Sequence, residues 1–297
     1  MEVNKIYNEN CLDTMTRMPD GFVDLTVTSP PYSDIRTYKG YEFSYKPIAK
    51  ELYRVTKMGG VVVWVVGDKT KDGSEELLPF LQALYFKEVG FCVETMIYAK
   101  PNCPFPSNVR YNQQFEFMFV FSKGIPKIFN PIKELKSQKE IKKNLKKQIN
   151  FESKSFRNKD GSTVRADSDN RMLSRLKNSG CNIEKTRGNV WVYPSGYMVS
   201  SKDKVAFKHP AIFPEQLAND HIISWSNEGD IVYDPFMGSG TTAKMAILNN
   251  RNWIGSEISK EYCEIAEKRI KEISVEDMQK IVDANEKLVK EFKDAKD

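Results

Sequence analysis

Two short segments carry residue types and spacings suited to holding ligands at the end of a strand. The first is Asp234-Pro235-Phe236-Met237-Gly238-Ser239-Gly240-Thr241-Thr242, directly after the β-branched run Ile231–Tyr233. An acidic residue closes a strand, glycines two apart make a loop, and threonines open a helix. Such glycines let backbone approach a ligand closely, and the helix N-terminus presents unpaired N–H groups. No lysine follows the second glycine, so this is not a P-loop, and the three-glycine dinucleotide pattern is incomplete. Glu257 stands 17 residues past Gly240, at the tip of the run Trp253–Ser256. A carboxylate there is placed to accept both hydroxyls of a ribose; capping the helix after Ser259 is the other use for it. Loop and carboxylate together point to a nucleoside cofactor. The second segment is Thr28-Ser29-Pro30-Pro31-Tyr32, at the end of the run Val23–Thr28. Two prolines stop the strand, leaving the Pro30 carbonyl and the Ser29 hydroxyl as acceptors beside the flat face of Tyr32. Two acceptors and an aromatic plate suit an amino group on a planar heterocycle. A plain strand-terminating turn is the alternative, and the glycine loop elsewhere in the chain weighs against it.

These segments need a scaffold, and the chain alternates as a mostly parallel α/β sheet does. Val23–Thr28 reads as a strand. Residues 45–57 have helical spacing (Ile48, Leu52, Val55), with Met58-Gly59-Gly60 as a glycine C-cap. The run 61–66, apolar throughout, reads as a central strand buried on both faces. A helix over 75–89 and strands over 92–98 and 115–121 follow. From Lys123 to about Ser201 turn formers and charges dominate, as in an inserted module. Order returns with a loop at His209 that leads into a helix. The spacing then predicts a strand at 231–233, a helix over 240–249, a strand at 253–256, and helices over 260–273 and 276–293.

Charge is uneven along the chain. Between Lys123 and Lys208 there are 21 Lys and Arg against 8 Asp and Glu, a net +13, whereas the remainder carries 24 against 32, a net −8. A basic middle in an acidic body is expected of a polyanion-facing segment. The run KELKSQKEIKKNLKKQ alone fits a solvated helix as well; Arg157, Arg165, Arg171, Arg175 and Arg187 extend the basic character beyond it. Trp191 and Tyr193 read as residues packing this region onto the sheet rather than touching the polyanion. Apolar residues are 40 % and charged ones 29 % of 297, ordinary for a globular protein, and the longest apolar stretch is too short to cross a bilayer. Five scattered cysteines without a CxxC pair, and two histidines outside metal-ligand spacing, argue against a disulfide framework and a metal site. The opening MEVNKIYNEN lacks a secretion-type pattern. The expectation is a reduced, cytoplasmic, metal-independent protein.

Taken together, TSPPY and DPFMGSGTT make the chain resemble the amino-group DNA methyltransferases that use S-adenosylmethionine. In that family a (Ser/Asp/Asn)-Pro-Pro-(Tyr/Phe) tetrapeptide is catalytic and a D-P-F-x-G-x-G-T-T segment binds the cofactor. The order here is catalytic motif, basic region, cofactor motif, which resembles the beta group. The resemblance implies a mostly parallel Rossmann-like methyltransferase sheet with helices on both faces and an inserted basic target-recognition region. It divides the chain into a catalytic half (1–123), a target-recognition region (124–204) and a cofactor-binding half (205–297). Carried over, Ser29, Pro30, Pro31 and Tyr32 are catalytic. Asp234, Pro235, Phe236, Gly238, Ser239, Gly240, Thr241, Thr242 and Glu257 bind cofactor, with Phe213 and Pro214 of the HPAIFP segment at its methionine end. KIYNENCLD resembles the strand beside the cofactor adenine, with Glu9-Asn10 where the family has Gly-Asp, so Asn10 and Cys11 take that place. Asn112–Lys123 resembles the family's strand that carries an acidic residue and a closing Ser-Lys.

Serine in the tetrapeptide resembles the cytosine-N4 enzymes; Asp or Asn is usual in the adenine-N6 enzymes, which stay as the alternative. The implied reaction extrudes the target base from double-stranded DNA, holds its amine on Ser29 and the Pro30 carbonyl against Tyr32, and transfers the methyl group directly. Methylation at carbon 5 would need a cysteine nucleophile, and neither Cys92 nor Asn102-Cys103-Pro104 matches that motif. Protein-glutamine and RNA-guanine methyltransferases share related tetrapeptides, but the serine, the motif order and the basic insert speak against them. A DNA-binding module that has lost catalysis is opposed by two intact motifs. A cognate restriction endonuclease and a homodimer are the further partners that the resemblance suggests.

Overall fold

The computed structural model describes residues 1–31, 43–101, 111–136, 184–212 and 214–273. The sheet body comprises residues 1–130 and 188–278. Among the described residues its central sheet has eight strands: β1 (Lys5–Tyr7), β2 (Val23–Thr28), β3 (Thr56–Val66), β4 (Cys92–Ala99), β5 (Phe115–Ser122), β6 (Val190–Val192), β7 (Ile231–Asp234) and β8 (Asn252–Ser256). They lie in the order β1-β8-β7-β2-β3-β5-β4-β6. All neighbours run parallel except β5, which is antiparallel to both β3 and β4. The mostly parallel sheet expected from the sequence is therefore present.

Among the described residues six helices flank it: α1 (Cys11–Thr16), α2 (Tyr45–Val55), α3 (Leu78–Val89), α4 (Glu215–Trp225), α5 (Thr241–Leu248) and α6 (Lys260–Lys271). The strand β3 shows why both faces are covered. Val62, Trp64 and Val66 point into a core with Ile48, Leu52 and Val55 of α2 and Phe86 of α3, while Val61, Val63 and Val65 are equally buried on the other face. There α4 packs on β2, β3 and α5. An apolar run with no polar alternation is what burial on both faces of a parallel strand requires.

The chain order reverses direction between β7 and β2. From β7 it proceeds through α5 to β8 on one side; from β2 it proceeds through α2 to β3 on the other. At such a switch point the loops leaving the two strands diverge to opposite faces and open a crevice at the carboxyl edge. The loop after β2 begins at Ser29, and the loop after β7 begins at Pro235.

Three sequence expectations are corrected. Met58-Gly59-Gly60 does not cap α2, which ends at Val55; these residues lie inside β3. The β2–β3 register jumps from Val23↔Thr56 to Leu25↔Val61, and at Gly60 a Cβ would stand 2.8 Å from the Asp24 carbonyl. The glycine serves this close approach at a bulge. The helix expected from residue 75 starts at Leu78, because Thr70–Lys71 and Ser74–Glu75 form a hairpin over Asp72-Gly73, both at positive φ (49° and 81°). Asp-Gly is the hairpin signal at that place. The segment Val190–Val192, assigned by sequence to the inserted region, is an edge strand of the sheet paired with β4. Trp191 packs against His221 with centroids 4.6 Å apart and the rings tilted by 32°, and the Tyr193 hydroxyl donates to Asp220 at 2.5 Å, so both pack into the sheet body.

Residues 131–187 belong to a separate unit. Its described part is the antiparallel pair Lys133–Leu135 with Glu184–Thr186. Most of the basic region and the helix expected over 276–293 lie outside the described residues. Among the described residues no helix is long and apolar enough to cross a membrane.

Trp64 connects the core to the rim. Its ring contacts Phe86, Phe43 and Phe236, and its indole N–H donates to Gln82 Oε1 at 2.7 Å. Trp64→Ala is expected to cost about 3–5 kcal/mol in urea unfolding; a loss below about 1 kcal/mol would contradict this packing.

Candidate functional site

Strands β2 and β7 are parallel neighbours, with Leu25 opposite Val232 and Thr26 opposite Tyr233, so they end at the same rim. One residue joins them there. Asp234 is 1 % exposed, and its carboxylate accepts the Thr28 hydroxyl on Oδ1 (2.6 Å), the Phe236 N–H on Oδ1 (3.0 Å) and the Thr242 hydroxyl on Oδ2 (2.7 Å). Thr28 immediately precedes Ser29-Pro30-Pro31; Phe236 and Thr242 belong to the glycine loop and α5. A single buried carboxylate thus ties both sequence motifs into one unit. Burial pushes its pKa up to about 6, against the pull of the Thr28, Thr242 and Phe236 bonds.

The glycine loop is fixed from the next strand as well. Met237 N–H donates to the Ser256 carbonyl at 2.9 Å, and Gly238 N–H donates to Glu257 Oε2 at 2.9 Å. Glu257 Oε1 accepts the Ser259 N–H at 2.9 Å, while the Ser259 side chain itself caps α6. Burial raises the Glu257 pKa. A carboxylate has about four lone-pair directions, so two N–H bonds leave acceptor capacity on Glu257. Gly238 adopts φ +50°, and a Cβ there would stand 3.1 Å from His209 Nε2. A side chain at Gly238 would therefore press on the His209 ring, which would have to give by a few tenths of an ångström, and would hold a backbone angle that favours glycine.

Two cavities open on this rim. One, of 180 Å³, is walled by Asn10 and Cys11 from α1 and its cap, by Ser29 and Pro31, by Pro235, Phe236 and Gly238, and by Glu257 and Tyr262. The other, of 480 Å³, is lined by Ser29, Pro30, Tyr98, Lys100, Glu116 and Pro214, and by Ser239 and Thr241. Ser29, Phe236, Gly238 and His209 line both. Segments some two hundred residues apart thus meet at one crevice.

The model of the DNA methylase family for N6 and N4 enzymes matches residues 23–268, spanning both motifs. The chain belongs to this family. An orphan methyltransferase of Bacillus amyloliquefaciens, M.BamHII, is 57% identical over 253 residues, which cover 85% of this chain and 90% of that protein. In fold, the PvuII DNA methyltransferase, named cytosine-N4-specific, matches with a TM-score of 0.61 at 20% identity, covering 95% of this chain and 92% of that one. A complex of M1.HpyAVI with S-adenosylmethionine matches with 0.55 at 21% identity, covering 89% and 98%. The protein is thus a DNA methyltransferase with the Rossmann-like methyltransferase fold.

Within this methyltransferase the residues expected to bind or act sort into three groups. Asn10, Cys11, Ser29, Pro30, Pro31, Pro214, Pro235, Phe236, Gly238, Ser239, Thr241 and Glu257 line one or both cavities. Asp234, Gly240 and Thr242 line neither: Asp234 and Thr242 form the clamp beneath the loop, and Gly240 begins α5 against Ala266 of α6. Tyr32 and Phe213 lie outside the described residues, as does Cys103. Asn10 uses its side-chain oxygen to cap α1 through Leu12 N–H at 2.9 Å. Burial pushes the Cys11 thiol up to about 12, so it stays protonated. Cys92 is the first residue of β4, at the end of that strand away from the rim.

Sequence reading missed a second layer. Arg269, on the inner stripe of α6, is fully buried beneath the loop, and Lys100 with Glu116 forms an ion pair in the larger cavity. Arg269 falls in step with Tyr262, Ile265 and Ala266 at helical spacing, a sequence signal that places it on the buried stripe of its helix.

The clamp makes a pH prediction. Between about pH 4 and about pH 6 the folded protein retains a proton on Asp234 that the unfolded chain has released. The contribution of this group to stability is therefore full below about pH 4 and declines as pH rises through 6. Asp234→Asn keeps an acceptor for Thr28 and Phe236 and turns the Thr242 hydroxyl to the Val27 carbonyl, already 3.1 Å away. It is expected to remove that part of the pH slope in urea unfolding with a small loss of stability, whereas Asp234→Ala costs about 2–4 kcal/mol.

Proposed function

We propose that the protein methylates the N4 amine of cytosine at a specific site in double-stranded DNA, with S-adenosylmethionine as methyl donor. The observation that carries this reading is the shared crevice: the serine of TSPPY and the glycine loop face the same space, tied through Asp234.

The residues present fit the cofactor. Gly238 turns at positive φ hard against the His209 ring, Glu257 retains acceptor capacity for ribose hydroxyls, and Asn10, Cys11 and Phe236 wall the space for a flat purine. When bound, S-adenosylmethionine supplies an electrophilic methyl group. Everything else falls to the chain. An exocyclic amine is paired and stacked in duplex DNA, so the base must leave the helix to reach Ser29. The Ser29 hydroxyl and Pro30 carbonyl then accept the amine N–H groups, and Tyr32 covers the ring. These bonds turn the nitrogen lone pair toward the donor and need no covalent enzyme intermediate. In the larger cavity Lys100 adds a donor and Glu116 an acceptor beside Ser29 and Pro30. Lys and Arg of region 124–204 contact phosphates and, in part, base edges.

Cytosine is favoured by the serine. A carboxylate at that position would polarise the weakly nucleophilic adenine amine more strongly than a hydroxyl does; the cytosine amine is served by the weaker acceptor.

Mass spectrometry of nucleosides from DNA treated with the enzyme is expected to reveal N4-methylcytosine. N6-methyladenine instead would overturn the base assignment and keep the mechanism. Ser29→Ala and Tyr32→Ala are expected to slow transfer by about 10²-fold or more with cofactor affinity retained in calorimetry. Gly238→Val should weaken cofactor binding by at least about tenfold through filling the cradle; unchanged affinity would remove the glycine loop from the site.

A further inference from the structure

Beneath the glycine loop lies a buried ion cluster that none of the motifs describes. Arg269 has a side chain 1 % exposed. Its Nη1 donates to the Ser239 carbonyl (3.1 Å) and to Thr241 Oγ1 (2.9 Å), with Ser239 Oγ at 3.3 Å. Its Nε donates to Asp203 Oδ2 at 2.7 Å, and its Nη2 reaches Ser201 Oγ at 3.2 Å and the Glu215 carboxylate. Lys244 of α5 donates to the same two carboxylates, Asp203 at 2.8 Å and Glu215 at 3.0 Å. Although burial pushes the Asp203 carboxyl up, Lys244 and Arg269 hold it below its ordinary value.

Two features separate this cluster from an ordinary buried ion network. Two positive and two negative side chains balance, so no net charge is placed under the loop. The planar guanidinium also commits one nitrogen entirely to loop atoms of Ser239 and Thr241, both of which line the larger cavity. The fork geometry lets one side chain fix the loop and both carboxylates at once, which a lysine cannot do. The carboxylates come from elsewhere: Asp203 from the chain that re-enters the sheet body after residue 187, and Glu215 from the start of α4.

We propose that Arg269 is a positioning residue for cofactor binding: it sets the Ser239–Thr241 turn from behind, and Asp203, Glu215 and Lys244 balance its charge so that a cationic sulfonium ligand meets no repulsion there. This rests on the reading of the glycine loop as the S-adenosylmethionine site. A structural role alone would change stability and leave ligand affinity untouched; the positioning role changes affinity in protein that remains folded.

The test uses the full chain with S-adenosylmethionine as titrant, and three proteins: wild type, Arg269→Lys, and the double variant Arg269→Met with Glu215→Gln. The double variant removes one charge of each sign, leaving Lys244 against Asp203. It keeps the cluster balanced where a single Arg269→Met would leave two part-buried carboxylates against one ammonium. Its melting temperature is expected to fall by several degrees, because the Ser239 carbonyl loses its guanidinium donor, and binding is measured well below the unfolding transition. Its dissociation constant and KM for S-adenosylmethionine are expected to rise about tenfold or more, with kcat at saturating cofactor within about threefold of wild type. Arg269→Lys is expected to fall between the two. Wild-type affinity in a folded double variant would overturn the positioning role and leave the proposed function standing. Wild-type protein that binds no S-adenosylmethionine would overturn both.

Discussion

The carboxylate of Asp234 holds the site together. It sits at the end of one strand, takes a hydroxyl from the neighbouring strand and another from the following helix, and is sealed from water. A buried carboxylate is costly unless its acceptors are used. Here three donors converge on it, and all three belong to the segments that must be aligned. If Thr28 or Thr242 moved away, a polar atom would be left unpaired in the core, so the energetic penalty for separating the two loops is local and large. The raised pKa reflects the same enclosure: the network tolerates a shared proton because Thr242 has a second acceptor in Val27.

The sheet topology gives this clamp its consequence. Reversal of strand order at β7 and β2 sends the two loops to opposite faces, and the clamp limits how far they separate. The result is a crevice with distinct compartments: a smaller one bounded by α1, Glu257 and Phe236, and a larger one with an ion pair and the Ser29-Pro30 turn. Ser29 and Gly238 border both. That arrangement suits a reaction between two ligands, each held by its own wall, whose reacting atoms meet at the partition. Buried charge recurs beneath the loop, where Arg269 and Lys244 face Asp203 and Glu215. Both layers join segments distant in sequence through hydrogen-bonded polar groups held away from water.

Much of this was legible in the chain because the relevant signals are local. Val23–Thr28 is bounded by residues that force its ends, and its limits match the strand; the apolar run within β3 and the glycine loop between β7 and α5 are similarly self-declaring. What escaped depends on long-range contacts. Met58-Gly59-Gly60 looks like a helix end, yet the close approach of Asp24 makes it a bulge. Val190–Val192 is only three residues long, in a region dominated by turn formers, and becomes a strand by pairing with β4. Asp234 reads as a ligand-binding residue from its motif, and only the three-dimensional pairing with Thr28, 206 positions away, makes it the clamp. Arg269 carries a spacing signal, but its partners Asp203 and Glu215 have none.

In the proposed reaction the serine turn and the glycine loop hold their two ligands against each other at one partition. The most direct measurement of this is a crystal structure with sinefungin, in which an amine replaces the transferable methyl group. That amine is expected to lie within about 4 Å of the Ser29-Pro30 turn, near the separation at which reacting groups are poised, with the ribose on Glu257. Sinefungin bound with its amine directed away from Ser29, or in a cavity not bordered by Gly238, would contradict the shared partition.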